Sequence, residues 1–305
     1  MNVIEIENLS KKFVPGFGFK KVTALEKINL SIKKGEIFGY IGPNGAGKTT
    51  TLKILMGLIF PTAGKATIFG EDVRNIKVKE KIGFLPEAPY FYHYLTAREF
   101  LLFYGKLFGY DREYLSKKID ELLTLVELQD KKNSQLRHFS KGMLQRIGIA
   151  QALINNPELV VLDEPMSGLD PSGRAMVRDI ILHLHEQGKT VLFSSHILSD
   201  VEMICNRIGI ITKGKLRETG AVNSLLQKDM KEIEIIATNL NSEEIQRVKK
   251  IANKTVTFEK DIMITVLNEK DRNNVLNIVT AKSGRLQSVE NRRETLENLF
   301  MKKYG

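Results

Sequence analysis

The 305-residue chain has a single cysteine, Cys205, so no disulfide can close within it, and a reducing compartment is expected. It has no uninterrupted apolar run near the roughly 18 residues that a bilayer-spanning helix needs. Its opening stretch, MNVIEIENLSKKF, lacks the apolar segment of a signal peptide, and a cytoplasmic location is predicted. Internal repeats and low-complexity segments are missing too. Nor are the charges blocked by sign. Lys and Arg exceed Asp and Glu by 46 to 36, a formal net charge of +10, but bases and acids intermix in KVKEK and DREYLSKKIDE. Mixed charge of that kind belongs to a solvated face, and no nucleic-acid partner is expected. What is present is a hydrophobic content of 42%, ample for one large domain with a small appendage.

Apolar spacing divides the chain into elements. Residues 3–9 and 22–32 alternate as strands, with the loop VPGFGFKK between them, and EIFGYI, KATIFG and IGFLP add further strands, the last stopped by Pro86. From about 96 to 155 the spacing is helical: Leu101, Leu102, Leu107 and Phe108, then Leu122, Leu123 and Val126, then Ile147, Ala150 and Leu153. ELVVL and TVLFSS return to strand, separated by a helix over about 171–187. Their nearly continuous apolar character predicts a parallel sheet covered on both faces. The character changes near residue 220. Ile233, Ile235 and Ala237 alternate as a strand, Ile245 and Val248 mark a helix, and Ile262, Ile264 and Val266 alternate again. Val275, Ile278 and Val279 mark a second helix, RLQSVENR a strand, and Leu296, Leu299 and Phe300 a last helix. The expectation is an α/β domain over 1–220 and a small α+β domain over 221–305.

Between EIFGYI and TLKILMGLIF stands GPNGAGKTT, residues 42–50. Gly42, Gly47, Lys48 and Thr49 fit G-x-x-x-x-G-K-[ST], a loop whose amides wrap a polyphosphate at a helix N-terminus. The whole run of Gly42, Pro43, Asn44, Gly45, Ala46, Gly47, Lys48, Thr49 and Thr50 is therefore the predicted phosphate cradle. Lys48 reaches for the β- and γ-phosphates and Thr49 offers a hydroxyl to Mg²⁺. LVVLDEP then ends a buried strand in Asp163 and Glu164. Asp163 is the candidate Mg²⁺ aspartate, directly or through water, and Glu164 the candidate base for an attacking water.

FSKGMLQRIGIAQAL (139–153) resembles the LSGGQ signature of ATP-binding cassette (ABC) ATPases, SGLD (167–170) their D-loop, and SSHIL supplies His196 where that family has its switch histidine. Lysine and signature serine are 140 − 48 = 92 residues apart, glutamate and histidine 196 − 164 = 32, which fits one uninterrupted cassette. The resemblance covers roughly residues 1–220 and rests on five motifs in order. It implies a P-loop NTPase cassette with a parallel core sheet, an antiparallel β-subdomain and a helical subdomain over about 88–155. It further implies that two subunits sandwich two ATP molecules head to tail. Ser140 and Gly142 then contact the γ-phosphate held by the opposite subunit, and Asp170 belongs to the same composite site.

Three positions depart from the family pattern. Lys141 and Met143 replace a glycine and the glutamine of the signature. Glu87 stands where the family has a glutamine, and as a hard oxygen donor it suits Mg²⁺ or its water. The aromatic residue that stacks on adenine is Phe13 by position, with Phe17 and Phe19 as competitors. His183 and His185, two apart on a helix, face different directions and make no metal pair. The segment EAPYFYHYLTAREFLLFYGKLFGY is rich in aromatic residues. In the family it lines the groove that receives the membrane partner, which leads to the expectation that Tyr90, Phe91, Tyr92 and Tyr94 are partly exposed while Phe100 and Phe103 are buried.

The resemblance thus implies an ATP-hydrolysing transporter subunit that binds ATP and Mg²⁺. Its partners are a second cassette, identical or paralogous, and separate membrane-spanning subunits, and it is peripheral on the inner face of the cell membrane. Export is the expected direction, because the closing LENLF helix resembles that of exporters with a short C-terminal extension. The alternative is a soluble cassette ATPase acting on the ribosome or DNA, against which stand the single cassette and the absence of a coiled-coil insertion.

Overall fold

The structure, a computed structural model, describes residues 1–14, 21–226, 232–281, 284–292 and 295–304. Phe17, Phe19 and the GFG run at 16–18 lie outside the described residues. Contacts divide the chain into Met1–Val222 and Asn223–Gly305.

In the first unit, β1 (Asn2–Phe13) and β2 (Val22–Lys33) pair antiparallel, with Ile4 opposite Ile32 and Leu9 opposite Ile28. β1 runs past the expected end at residue 9 because Lys11, Lys12 and Phe13 keep partners in Leu25, Thr23 and Val22. Then follow β3 (Ile37–Ile41), α1 (Lys48–Leu55), β4 (Ala63–Ile68), β5 (Glu71–Asp72), α2 (Ile76–Lys79) and β6 (Ile82–Leu85). Three longer helices come next: α3 (Ala97–Leu107), α4 (Arg112–Leu125) and α5 (Lys141–Ala152). The unit closes with β7 (Leu159–Leu162), α6 (Pro171–Glu186), β8 (Thr190–Ser195), α7 (Leu198–Ile204), β9 (Arg207–Thr212) and β10 (Lys215–Ala221).

These strands make two sheets. One is antiparallel, ordered β2-β1-β4-β5; the other is ordered β10-β9-β3-β8-β7-β6, with all neighbours parallel except the edge strand β10. Every residue of β3, β7 and β8 is buried, as a sheet covered on both faces requires. One apolar core joins the sheets, with Ile4 and Ile6 of β1 clustering with Phe38 and Tyr40 of β3, Val161 of β7 and Leu192 of β8.

The helical part is fixed by its caps. Thr96 Oγ1 accepts from the Glu99 N–H, and Glu99 Oε2 accepts from the Thr96 N–H, a reciprocal box that starts α3. Two aromatic positions differ from the expectation. Phe91 is buried, its ring 5.5 Å from that of Phe100. The ring lies beside Gly148, at ordinary contact distance from where a Cβ would stand, 3.5 Å. Phe103 is instead 40% exposed. The buried stripe of α3 is Ala97, Phe100, Leu101 and Gly105, and at helical spacing Phe103 falls outside that arc. It meets Tyr92 edge-on, 5.5 Å between ring centres. Tyr90 and Tyr94 are exposed as expected.

The helix α8 (Val222–Leu226) starts at the last residue of the first unit. In the second unit β11 (Glu232–Thr238), α9 (Ser242–Ile251), β12 (Lys254–Phe258), β13 (Asp261–Val266), α10 (Glu269–Thr280), β14 (Arg285–Arg292) and α11 (Leu296–Tyr304) follow in order. The sheet is antiparallel throughout, ordered β12-β13-β11-β14. A βαββαβ chain in that order is the ferredoxin-like arrangement. β12, KTVTF, was not anticipated from the sequence; its five residues are only half-buried or exposed and lack a strong alternation. The core here is apolar: Ile233, Ile235 and Ala237 pack with Val248, Ile262, Ile264, Val266, Val275, Ile278 and Val279.

Candidate active site

Four neighbouring parallel strands deliver the candidate residues. At their carboxyl ends, β3 leads into Gly42, β8 into His196, β7 into Asp163 and Glu164, and β6 into Pro86 and Glu87. Open α/β sheets present ligands at that edge, because loops and helix starts converge there.

The loop after β3 is shaped by its glycines. Gly47, at φ +112°, has no room for a side chain, since a Cβ would come within 2.7 Å of Leu25 and 2.9 Å of the Ala24 carbonyl. At Gly42 a Cβ would meet the Ile211 carbonyl at 2.1 Å. Pro43, Asn44 and Gly45 lie on the open side, and Ala46 is buried, its carbonyl accepting from the Gly214 N–H at 2.9 Å. Gly47 caps α1 without a side chain, and the first turn, which holds Thr49 and Thr50, carries no acid. The first amides of α1 thus have no side-chain acceptor, and the positive end of the helix is left for an anion.

A buried charged cluster lies against this loop. Lys48 Nζ donates to the Gly42 carbonyl at 2.7 Å and lies 3.0 Å from Glu164 Oε1. The second Glu164 oxygen, Oε2, is 2.7 Å from His196 Nδ1. His196 thus holds one carboxylate oxygen, while the other, buried, is ion-paired with Lys48 but accepts no hydrogen bond. Its backbone is in the left-handed region, φ +52°, which costs a non-glycine residue about 1 kcal/mol or more. Asp163 is 1% exposed. Burial pushes its carboxyl above the usual range, as do the charges of Glu87 and Glu164, while hydrogen bonds from Ser194 and Thr49 oppose the rise. Thr49 Oγ1 also lies 3.5 Å from Glu87 Oε2. The Ser194 hydroxyl, wholly buried, donates to Asp163 Oδ1 at 2.6 Å and accepts from the Glu164 N–H at 2.9 Å.

The remaining predicted residues lie in the signature, in the SGLD run and at the end of β1. Ser140 caps α5, its Oγ accepting from the Met143 N–H at 3.3 Å. Asp170 caps α6, its Oδ1 accepting from the Gly173 N–H at 3.0 Å. Gly142 lies under Leu169, with 3.7 Å between the position of its Cβ and the Leu169 side chain. The Lys141 side chain runs across Gly168, so the signature and the SGLD run adjoin within one chain. Phe13, at the end of β1, is 40% exposed and has the Lys11 ammonium 4.9 Å from its ring centre.

The donor set fits a magnesium polyphosphate. Thr49, Asp163 and Glu87 offer hard oxygens, and Mg²⁺ is held by one or two carboxylates together with phosphate oxygens and water. Among the described residues no group of three or more His, Cys, Asp or Glu could cage a metal alone. Sequence reading missed Ser194. The signal available was a polar residue inside the apolar run TVLFSS, two positions before His196.

Comparison with known proteins agrees with this geometry. A family model described as ABC transporter matches residues 25–167. An uncharacterized ABC transporter ATP-binding protein of Nostoc sp. is 42% identical over 98% of this chain and 89% of its own length. The bacitracin transport ATP-binding protein BcrA of Bacillus licheniformis is 36% identical over 99% of this chain and 97% of its own. Among solved structures, the dimeric ATP-binding cassette MJ0796 in a post-hydrolysis state with ADP and Pi superposes with a TM-score of 0.66. That match has 29% identity and covers 72% of this chain and 98% of that one.

Proposed function

The chain belongs to the ABC transporter ATP-binding proteins and is an ATPase, and on that premise we propose that it dimerises around two ATP molecules and powers export through separate membrane-spanning subunits. The observation that carries the catalytic part is Glu164, held by Lys48 at 3.0 Å and His196 at 2.7 Å beside the buried Asp163. A carboxylate oriented through one oxygen, with the other accepting no hydrogen bond, is ready to take a proton from an attacking water, which lowers the barrier without strengthening ATP binding. Lys48 and the backbone N–H groups of residues 44–50 bind the phosphates, and His196 orients Glu164. Thr49, Asp163 and Glu87 would hold Mg²⁺, whose charge neutralises the oxygens of the β- and γ-phosphates. Phe13 stacks on the adenine. Ser140 and Asp170, whose side chains cap their own helices, serve the nucleotide of the partner cassette together with Gly142.

Transport rests on likeness over nearly the full length to a bacitracin transport ATP-binding protein. Among the described residues no helix is long and apolar enough to cross a membrane; in this reading separate subunits form the membrane path and this chain sits on the inner face. Exposed Tyr90 and Tyr94, with Tyr92 and Phe103 beside them, offer those subunits an aromatic contact surface. The test is dimerisation. With saturating Mg-ATP, Glu164→Gln should sediment as a dimer. Adding Ser140→Asp, which keeps a good helix cap but sets a negative charge against the partner's phosphate, should return it to monomer. A monomeric Glu164→Gln under those conditions would overturn the two-subunit site.

A further inference from the structure

We propose that Ser194 is a positioning residue for ATP hydrolysis, setting Asp163 and Glu164 relative to each other through a single hydroxyl. Its Oγ has one proton to give. Because that oxygen accepts from the Glu164 N–H at 2.9 Å, the proton is directed to Asp163 Oδ1 at 2.6 Å. Two consecutive residues are thus tied to one atom, one by its backbone and the other by its side chain. The Glu164 backbone is at φ +52°, and a left-handed non-glycine residue persists only where its surroundings hold it. The bond from the Glu164 N–H to Ser194 is one such hold.

The strand supplies the rest of the geometry. In β8, Ser194 pairs with Tyr40 of β3, and on the other side Phe193 pairs with Leu162 of β7, so Ser194 is level with the Asp163 step. Two residues further on, His196 takes Glu164 Oε2 at 2.7 Å. One strand end therefore grips Glu164 twice, by its amide and by its carboxylate. Ser194 is 0% exposed, so water cannot replace its hydroxyl without opening the sheet. Removing it leaves a buried N–H and a buried carboxylate oxygen each short of a partner.

The inference rests on the reading of Glu164 as the base, and the test separates the two. Ser194→Ala should lower turnover by about 10- to 100-fold, the usual cost of losing a group that orients a ligand or reacting residue. ATP affinity, read with a fluorescent ATP analogue, should stay within about threefold. Ser194→Cys, which keeps a weak donor and acceptor of similar size, should fall between parent and Ala; it serves also if the Ala variant folds poorly. Hydrogen exchange at the Glu164 amide in the nucleotide-free protein should speed up in Ser194→Ala. In a Glu164→Gln background, Ser194→Ala should cost less turnover than in the parent, because the part of its effect that runs through Glu164 is already lost. Parental turnover in Ser194→Ala, or an ATP affinity that falls as far as turnover does, overturns the role of Ser194. If Glu164→Gln itself turns over ATP at the parental rate, the base assignment fails and Ser194 falls with it.

Discussion

The two units bury charge in opposite ways. In Met1–Val222 the carboxyl ends of a parallel sheet hold Lys48, Asp163, Glu164, Ser194 and Ser195 at 7% exposure or less. In Asn223–Gly305 the sheet is antiparallel and its core cluster is entirely apolar. The buried Glu244 there closes a capping box with Asn241, and Glu234 lies opposite Thr265 in the ladder. The difference follows from topology. Parallel strands all end on the same edge, so their last residues and the following helix starts meet in one place. An antiparallel βαββαβ unit sends alternate strand ends to opposite edges and concentrates no such cluster. Among the described residues, the cluster of Lys48, Asp163 and Glu164 lies in the first unit.

Substitutions can break or sharpen that contrast. The largest effect is expected from Lys48→Ala. It removes the phosphate cation and leaves Glu164, 7% exposed, without its partner at 3.0 Å. Equilibrium titration should show ATP binding weakened by about 10- to 100-fold, as for loss of a charge-assisted hydrogen bond, and hydrolysis should disappear. Ile264→Ala, at a wholly buried site of the second unit, should cost about 2–5 kcal/mol of that unit's stability. Calorimetry should record the loss while ATP affinity stays at the parental value. The smallest effect on nucleotide is expected from ending the chain after Val222, where the contacts divide. A folded truncation with parental ATP affinity sustains the contrast; a folded truncation that no longer binds ATP breaks it.

The sequence made these two bodies visible to different depths. The glycine loop was legible because its function is written in backbone chemistry, and Gly42 and Gly47 have no space for a Cβ. The parallel sheet was legible from continuous apolar runs, and the ABC family from the order of its motifs. Ser194 was not, because a serine in a buried strand looks like any small core residue until its two partners are placed in space. Phe91 and Phe103 exchanged their expected environments. In an aromatic-rich segment, composition does not say which ring lies on the inward arc of α3 and which packs against Phe100 from outside the helix. β12 was missed because a five-residue strand that is half-exposed leaves almost no periodicity.

The central claim is that Glu164, gripped by Lys48, His196 and Ser194, performs the chemistry and not the binding. The most direct test is to measure ATP affinity and turnover on one preparation of Glu164→Gln at saturating Mg-ATP. That substitution keeps shape and hydrogen bonding but removes basicity. The account predicts affinity within about threefold of the parent and turnover lower by about two orders of magnitude or more. Turnover near the parental rate would contradict it and move the base to another residue, with Glu87 and His196 next to be examined.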